Sequence, residues 1–235
     1  MPQVKALKQE LQRHVKPEKV AVYQRFFKTG PGEYGEGDVF IGITVPDQRK
    51  VARLFIDMNL KDVMSLLDEE VHEYRLTALL ILVAKYEKGS EELKAQIVEA
   101  YCRAADRINN WDLVDLSAYK ILGPWFIDRD KSLLYEFARS GHLWKERIAM
   151  LTTFHFIKNK AFDTALEIAE ILLHHEHDLI HKAVGWMLRE IGKRDGDVER
   201  NFLKKHYRTM PRTMLRYAIE KFLEEERQDY LKGRV

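Results

Sequence analysis

Apolar residues recur at spacings of three and four along most of the chain, and this periodicity limits the possible folds more than any other feature. It is typical of helices that bury one face. Short polar breaks with glycine, proline or charged residues separate the periodic segments. The clearest segments are 71–83, 93–104, 144–157, 162–173 and 179–191. We therefore predict an all-α fold.

Residues 40–45, Phe-Ile-Gly-Ile-Thr-Val, are the one stretch that resembles a β-strand. The stretch ends at Pro46, and proline suits the first position of a helix. We predict an extended loop at 40–45 and a helix that begins at Pro46.

From about residue 71 the helices come in pairs at a spacing of roughly 35 to 40 residues, the range of HEAT-like repeats. Stacked helix pairs form a superhelix, or α-solenoid, whose concave face holds an extended partner such as a duplex. An irregular helical bundle is the alternative that periodicity alone leaves open. We predict a single helical-repeat domain over residues 1–235.

Composition sets only broad limits. The 235 residues are 46% hydrophobic and 32% charged, as in ordinary globular proteins, and the net charge of +2 gives no overall attraction to nucleic acid or membrane. Residues 181–221 nevertheless hold eleven Lys and Arg against five Asp and Glu. Such a segment can follow a phosphate backbone, or it can be a solvated helical face.

Several classes of site and location are disfavoured. Cys102 is the single cysteine, which excludes an intramolecular disulfide and a cysteine-based zinc site. Because it lies in an apolar run, we predict that it is a small core residue. The run 174–177, His-His-Glu-His, is the nearest approach to a metal site, and we expect no metal there. The N-terminal residues do not resemble a signal peptide and no apolar run is long enough to span a bilayer, so we expect a cytoplasmic protein.

Two segments combine a tryptophan with a charge on one helical face. Trp111 and Asp115 are four residues apart, and Trp186 and Arg189 are three apart. A carboxylate beside a π surface suits a reaction with a cationic intermediate. The alternatives are core tryptophans and an Asp115 that pairs with a neighbouring Lys or Arg. We predict that Asp112 is a helix-start residue whose side chain accepts a backbone N–H.

The segment 28–38 is rich in glycine and lies between two predicted helices. It does not follow a strand, so it is not a phosphate-binding loop or a dinucleotide fingerprint. Its permissive backbone allows close approach to a ligand or another backbone, and a plain connector is the alternative.

Four segments together resemble the bacterial DNA alkylation repair family, the AlkD-like DNA glycosylases. They are FKTGPGEYG at 27–35, GITVPDQR at 42–49, NWDLVD at 110–115 and KAVGWMLRE at 182–190. The resemblance implies a HEAT-like superhelix that holds duplex DNA on its concave face. It also implies hydrolysis of the N-glycosidic bond of N3- or N7-alkylated purines, by a monomer without a cofactor.

The chemistry of that reaction agrees with these residues. An N3- or N7-alkylpurine is already cationic and leaves without being protonated. The deoxyribose gains oxocarbenium character as the bond breaks, and a fixed carboxylate would stabilise that charge or orient the attacking water. The resemblance assigns this role to Asp115 and places Trp111 and Trp186 beside the cationic nucleotide, where cation–π attraction favours a charged base.

The resemblance also implies that Arg147 and Arg189 contact DNA phosphates, which would hold the duplex without reading its sequence. Further predicted DNA-binding residues come from the basic C-terminal third and from the segment after Pro46: they are Lys182, Arg212, Arg216 and Arg49.

Two questions stay open at this level. DNA glycosylases generally extrude the target base, whereas the resemblance implies a distorted duplex with the lesion still stacked or exposed, and the residues do not distinguish these modes. The competing functional hypothesis is a non-catalytic HEAT-like scaffold that binds DNA or protein on the same face.

Overall fold

The computed structural model describes residues 2–235, and all regular structure among them is helical. The predicted all-α class is confirmed. The chain forms two compact units, Met1–Ser117 and Ala118–Val235.

The α-helices of the first part of the chain are α1 (Pro2–Gln12), α2 (Val20–Phe26), α3 (Val45–Leu54), α4 (Leu60–Ser65), α5 (His72–Lys88), α6 (Glu91–Arg103) and α7 (Trp111–Phe126). Those of the second part are α8 (Ser132–Ala138), α9 (Leu143–Lys158), α10 (Asp163–Ile171), α11 (Asp178–Gly192), α12 (Gly196–His206), α13 (Arg212–Ala218) and α14 (Glu224–Lys232). Short 3₁₀ turns lie at Pro17–Lys19, Leu66–Asp68, Ala105–Arg107 and Ile219–Lys221.

Side-chain caps fix where several helices begin. Ser90 accepts the backbone N–H of Leu93 at the start of α6, and Asp195 accepts two N–H groups at the start of α12. Such caps satisfy donors that have no partner within the helix. They explain why α6 begins at Glu91 and α12 begins at Gly196.

The segment before α3 is a loop that belongs to no strand, as predicted, and it contains a turn at Gly42. Val39 forms an isolated bridge with Val71, and residues 40–44 are irregular. The predicted first residue of the helix was wrong by one position. Thr44 caps α3, so Val45 is its first residue and Pro46 its second.

Each unit has its own buried core. In unit 1, α3 packs on α5 and buries Val51 and Leu79 completely. In unit 2, α11 packs on α9 and α13, where Met187 and Met214 are buried. No helix among residues 2–235 is long and apolar enough to cross a membrane.

Candidate functional site

Trp111 and Asp115 both line a cleft of about 340 Å³ in unit 1. Both are half-buried on the first turns of α7. The other walls come from α2, from α3, from α5 and from the segment that joins α2 to α3. The helical spacing that placed the two side chains on one face therefore brings them to a common cavity.

Stacked aromatic rings form one side of this cleft. Trp111 stacks on Phe27 with ring centroids 5.3 Å apart, and Phe27 stacks on Phe40 at 4.9 Å. Phe40 in turn stacks on the imidazole of His72 at 4.5 Å. Phe26 meets Trp111 edge-on at 5.6 Å and is 60% exposed. Each such pair adds about 0.5–1.5 kcal/mol beyond area burial, so the stack fixes the Trp111 ring.

A buried ionic network lies beside the stack. His72, 1% exposed, places Nδ1 3.0 Å from Asp38 Oδ2 and Nε2 2.9 Å from Asp112 Oδ2. Ionised carboxylates only accept, so both ring nitrogens donate and His72 is an imidazolium. Burial lowers the pKa of His72, but Asp112 and Asp38 outweigh it and raise the pKa to about 9.

The same network anchors the start of α7. Asp112 accepts the N–H of Leu113 at 2.9 Å, so it is a helix-start residue that also holds His72. The buried Asn110 accepts the N–H of Trp111 through Oδ1 and donates to Asp38 Oδ2 at 2.9 Å. The first turn that carries Trp111 is therefore tied to Asp38.

Asp38 reaches the network from the glycine-rich segment. Arg75 also donates to Asp38, and burial raises the Asp38 pKa while His72 and Arg75 lower it, with a net decrease. A Cβ on Gly35 would lie 2.3 Å from the Phe27 carbonyl oxygen. The glycine-rich segment thus passes close to the backbone at Phe27, and it places the carboxylate of Asp38 in the site.

The carboxylate of Glu73 holds the segment before α3. Its Oε1 accepts the backbone N–H groups of Ile41, Gly42 and Ile43 at 3.1, 2.8 and 3.2 Å. Gly42 has φ +88°, and a Cβ there would lie 2.1 Å from the carbonyl oxygen of Lys16. This turn therefore requires glycine for both conformation and space.

We expect Gly42→Ala to lower the free energy of unfolding by about 2 kcal/mol or more, because it adds a backbone clash to left-handed strain. Gly32→Ala is the matched control, since Gly32 has φ +76° and a methyl group added there would meet no atom within 4 Å. Urea unfolding of both variants gives the comparison. Equal losses of stability in the two variants would show that the contact with the Lys16 carbonyl oxygen adds no cost.

In unit 2, Trp186 is half-buried on α11. Its ring packs against Phe154 with centroids 5.6 Å apart, and its Nε1 donates to Glu190 Oε1 at 3.3 Å. Arg189, one turn further, pairs with Glu220. Its Nε is buried without a hydrogen-bond partner among the described residues.

Glu199, 2% exposed, lines a second cavity with Arg189. Its Oε1 has no hydrogen-bond partner among residues 2–235, and burial raises its pKa to about 8. A Cβ on Gly192 would lie 1.7 Å from Glu199 Oε2, so glycine makes room for the acid.

We expect Glu199→Gln to be about 1–3 kcal/mol more stable than the wild type at pH 8. The folded-state pKa is raised, so the wild type loses stability as pH rises from about 4.5 to about 8. Glutamine cannot ionise and escapes this loss. Urea unfolding at pH 5 and pH 8 measures the effect, with the exposed Glu225→Gln as control. Parallel pH profiles for wild type and Glu199→Gln would contradict the prediction.

The predicted DNA-binding residues lie in different environments. Arg147 is 4% exposed, and its Nη1 donates to the carbonyl oxygen of Leu179 at 2.5 Å. The sequence did not reveal this burial. A contact with phosphate would require the Arg147 side chain to leave the interior, so the DNA-binding role of Arg147 stays a prediction. Lys182 pairs with Asp178 at 2.6 Å. Three others are exposed on the surface: they are Arg49, Arg212 and Arg216.

The histidine run has structural contacts. His175 Nε2 lies 3.0 Å from Glu146 Oε2, and His177 Nδ1 accepts the N–H of Leu179 at the start of α11. Within residues 2–235, no group of three or more His, Cys, Asp or Glu side chains has an arrangement that could hold a metal ion.

Sequence reasoning missed the residues that build the cleft around Trp111 and Asp115. His72, Asp38 and Glu73 were not candidates, nor were the aromatic residues of α2 and the following segment. The available signals were the adjacent Phe26 and Phe27 before the glycine-rich segment, and charges within the apolar start of α5.

Comparisons with known proteins agree with the sequence resemblance. A family model described as DNA alkylation repair enzyme matches residues 7–222. The fold is similar to a solved structure described as a predicted DNA alkylation repair enzyme from Enterococcus faecalis, with a TM-score of 0.65 and 15% identity. That match covers 90% of this chain and 98% of the other. A search of curated proteins found no match.

Proposed function

Because this chain belongs to the DNA alkylation repair enzyme family, we propose that it is a monofunctional DNA glycosylase that removes N3- or N7-alkylated purines from duplex DNA. The products are the free alkylated base and a DNA strand with an abasic deoxyribose. The observation that carries this proposal is the position of Asp115 beside Trp111 in an aromatic cleft.

The cleft suits the stabilisation of positive charge. Alkylation has already made the base a good leaving group, so the protein needs no acid to protonate it. The charge that develops on the sugar then requires a fixed carboxylate in a partly dry site, and Asp115 is the candidate. It also serves to orient a water molecule toward the anomeric carbon as the bond to the base breaks.

The aromatic stack favours the damaged base over a normal one. A cation near the face of Trp111 gains about 0.5–2 kcal/mol, depending on desolvation. A neutral purine gains no such charge-dependent attraction. We propose that Trp186 makes a second aromatic contact with the cationic nucleotide. We also propose that five basic residues contact DNA phosphates: they are Arg189, Lys182, Arg212, Arg216 and Arg49.

The test is base release from a duplex with a single N7-methylguanine, followed by chromatography of the free base. We expect release from the damaged duplex and none from an undamaged duplex of the same sequence. Salt-sensitive binding without release would favour the non-catalytic scaffold and end the glycosylase proposal for this lesion.

A further inference from the structure

We propose that Arg189 and Lys221 together bind one phosphodiester group of the DNA backbone, and that the carboxylate of Glu220 occupies this site in the free protein. The inference rests on the proposed function. To the phosphate contact already proposed for Arg189 it adds a second residue, Lys221, and an exchange of one anion for another.

The carboxylate of Glu220 is held between two cations of unit 2. Its Oε2 accepts a hydrogen bond from Nη1 of Arg189, and its Oε1 lies 3.0 Å from Nζ of Lys221. A phosphodiester resembles this carboxylate, because it also carries one negative charge and two terminal oxygens. Charge-assisted hydrogen bonds hold either anion in the same way. Two cations that each bind one carboxylate oxygen are therefore suited to the two oxygens of a phosphate.

The structure holds the two cations in place independently of Glu220. Arg189 belongs to α11, and its side chain is only 17% exposed. Lys221 ends the 3₁₀ turn Ile219–Lys221, which packs against α11 and buries Ile219 completely. The side chain of Glu220 is 46% exposed, so it can turn toward solvent while the backbone of the turn stays where it is.

The pair with Glu220 does not satisfy Arg189 fully. A guanidinium carries several N–H donors, and Nε of Arg189 is buried without a hydrogen-bond partner among residues 2–235. Ion pairs as exposed as this one also contribute little to stability, because solvent screens them. The exchange of Glu220 for a phosphate therefore sacrifices little of the stability of the fold.

Neighbouring cations have acidic partners of their own. Lys193 pairs with Glu190 at 2.6 Å, and Arg200 pairs with Glu226 at 2.6 Å. Within the part of the chain that the structure describes, Arg189 and Lys221 instead share one carboxylate. Two positive charges on one anion favour a ligand that is negatively charged.

The acid that would repel a phosphate here is largely neutral. Glu199 lines the same cavity as Arg189 and Lys221. Burial raises the pKa of Glu199 to about 8, so most of its carboxyl groups are protonated at pH 7. The positive charge of Arg189 and Lys221 therefore remains available to the bound anion.

Binding of a short undamaged duplex tests the exchange, because phosphate contacts do not depend on sequence or on a lesion. We expect Glu220→Gln to bind this duplex about twofold to fivefold more tightly than the wild type, the range of one exposed ion pair. Glutamine keeps the shape of the side chain but no longer competes as an anion. Glu224→Gln is the matched control, because Glu224 forms an exposed pair with Arg227 in the same unit. Fluorescence anisotropy measures the affinities.

Two further variants separate the exchange from a general change of charge. In an Arg189→Gln background, Glu220→Gln should gain no more affinity than Glu224→Gln does, because the main phosphate donor is already absent. Lys221→Gln should weaken binding and lower the slope of log affinity against log salt by about 1. Lys232→Gln, which removes an exposed lysine of the same unit, should leave the slope unchanged. Because Lys221 is 60% exposed, its variant gives a result even if Arg189→Gln does not fold, as judged by circular dichroism.

The outcomes separate this inference from the proposed function. Equal affinities of Glu220→Gln and Glu224→Gln, or the same gain with and without Arg189, would overturn the exchange. An unchanged salt slope in Lys221→Gln would overturn the assignment of Lys221. Release of N7-methylguanine is measured separately on the damaged duplex. A wild type that releases no base, while Glu220→Gln shows the expected gain, would overturn the glycosylase alone.

Discussion

We expect Asp115→Asn to release N7-methylguanine about 100- to 1,000-fold more slowly than the wild type under single-turnover conditions. Asparagine keeps the size of the side chain but removes the negative charge. The loss appears in the rate of bond cleavage, because the positive charge on the sugar forms only in the transition state. Binding of the alkylated duplex should change less than the release rate, because the charge of the base is already present in the ground state and that of the sugar is not.

The measurement compares release rates at matched DNA occupancy, with occupancy determined by fluorescence anisotropy. Asp57→Asn is the control, because Asp57 is exposed in the same unit and is not part of the cleft lining. Equal release by Asp115→Asn and wild type would exclude Asp115 as the electrostatic catalyst. An equal loss in the control would show a nonspecific charge effect.

The helices could be predicted because their signal is local. Burial of one face imposes a spacing of three and four residues, and segments such as 71–83 and 179–191 carry it plainly. The observed helices α5 and α11 account for these two segments. Their ends depend on caps and on close backbone approaches, such as those at Thr44 and Gly42, so the start of α3 was misplaced.

The candidate site could be predicted only in its local part. Trp111 and Asp115 share a helical face, and that relation follows from their spacing alone. The pairs of His72 with Asp38 and with Asp112 join residues 34 and 40 positions apart, and no local pattern encodes such partners. The burial of Arg147 likewise depends on the packing of α9 against α11.

We expect His72→Gln to lower the free energy of unfolding by about 3–5 kcal/mol at pH 6. His72 is the imidazolium between the buried carboxylates of Asp38 and Asp112. Glutamine is neutral and leaves an uncompensated negative charge in the interior. Urea unfolding measures the loss, and His174→Gln, which changes an exposed histidine, is the control.

The pH dependence distinguishes lost charge from lost packing. The folded-state pKa of His72 is about 9, against 6.5 for the unfolded chain, so its stabilising charge is fully present below pH 6.5 and is lost as pH rises through 9. A shift of this size corresponds to about 3 kcal/mol. The stability gap between wild type and His72→Gln should therefore narrow by about that amount between pH 6.5 and pH 9.5. Because Glu199 is present in both proteins, its titration cancels in this difference. A gap that stays constant over the window would mean that His72 is neutral in the folded protein, and the anchor of Trp111 would then rest on Asn110 and Asp112 alone.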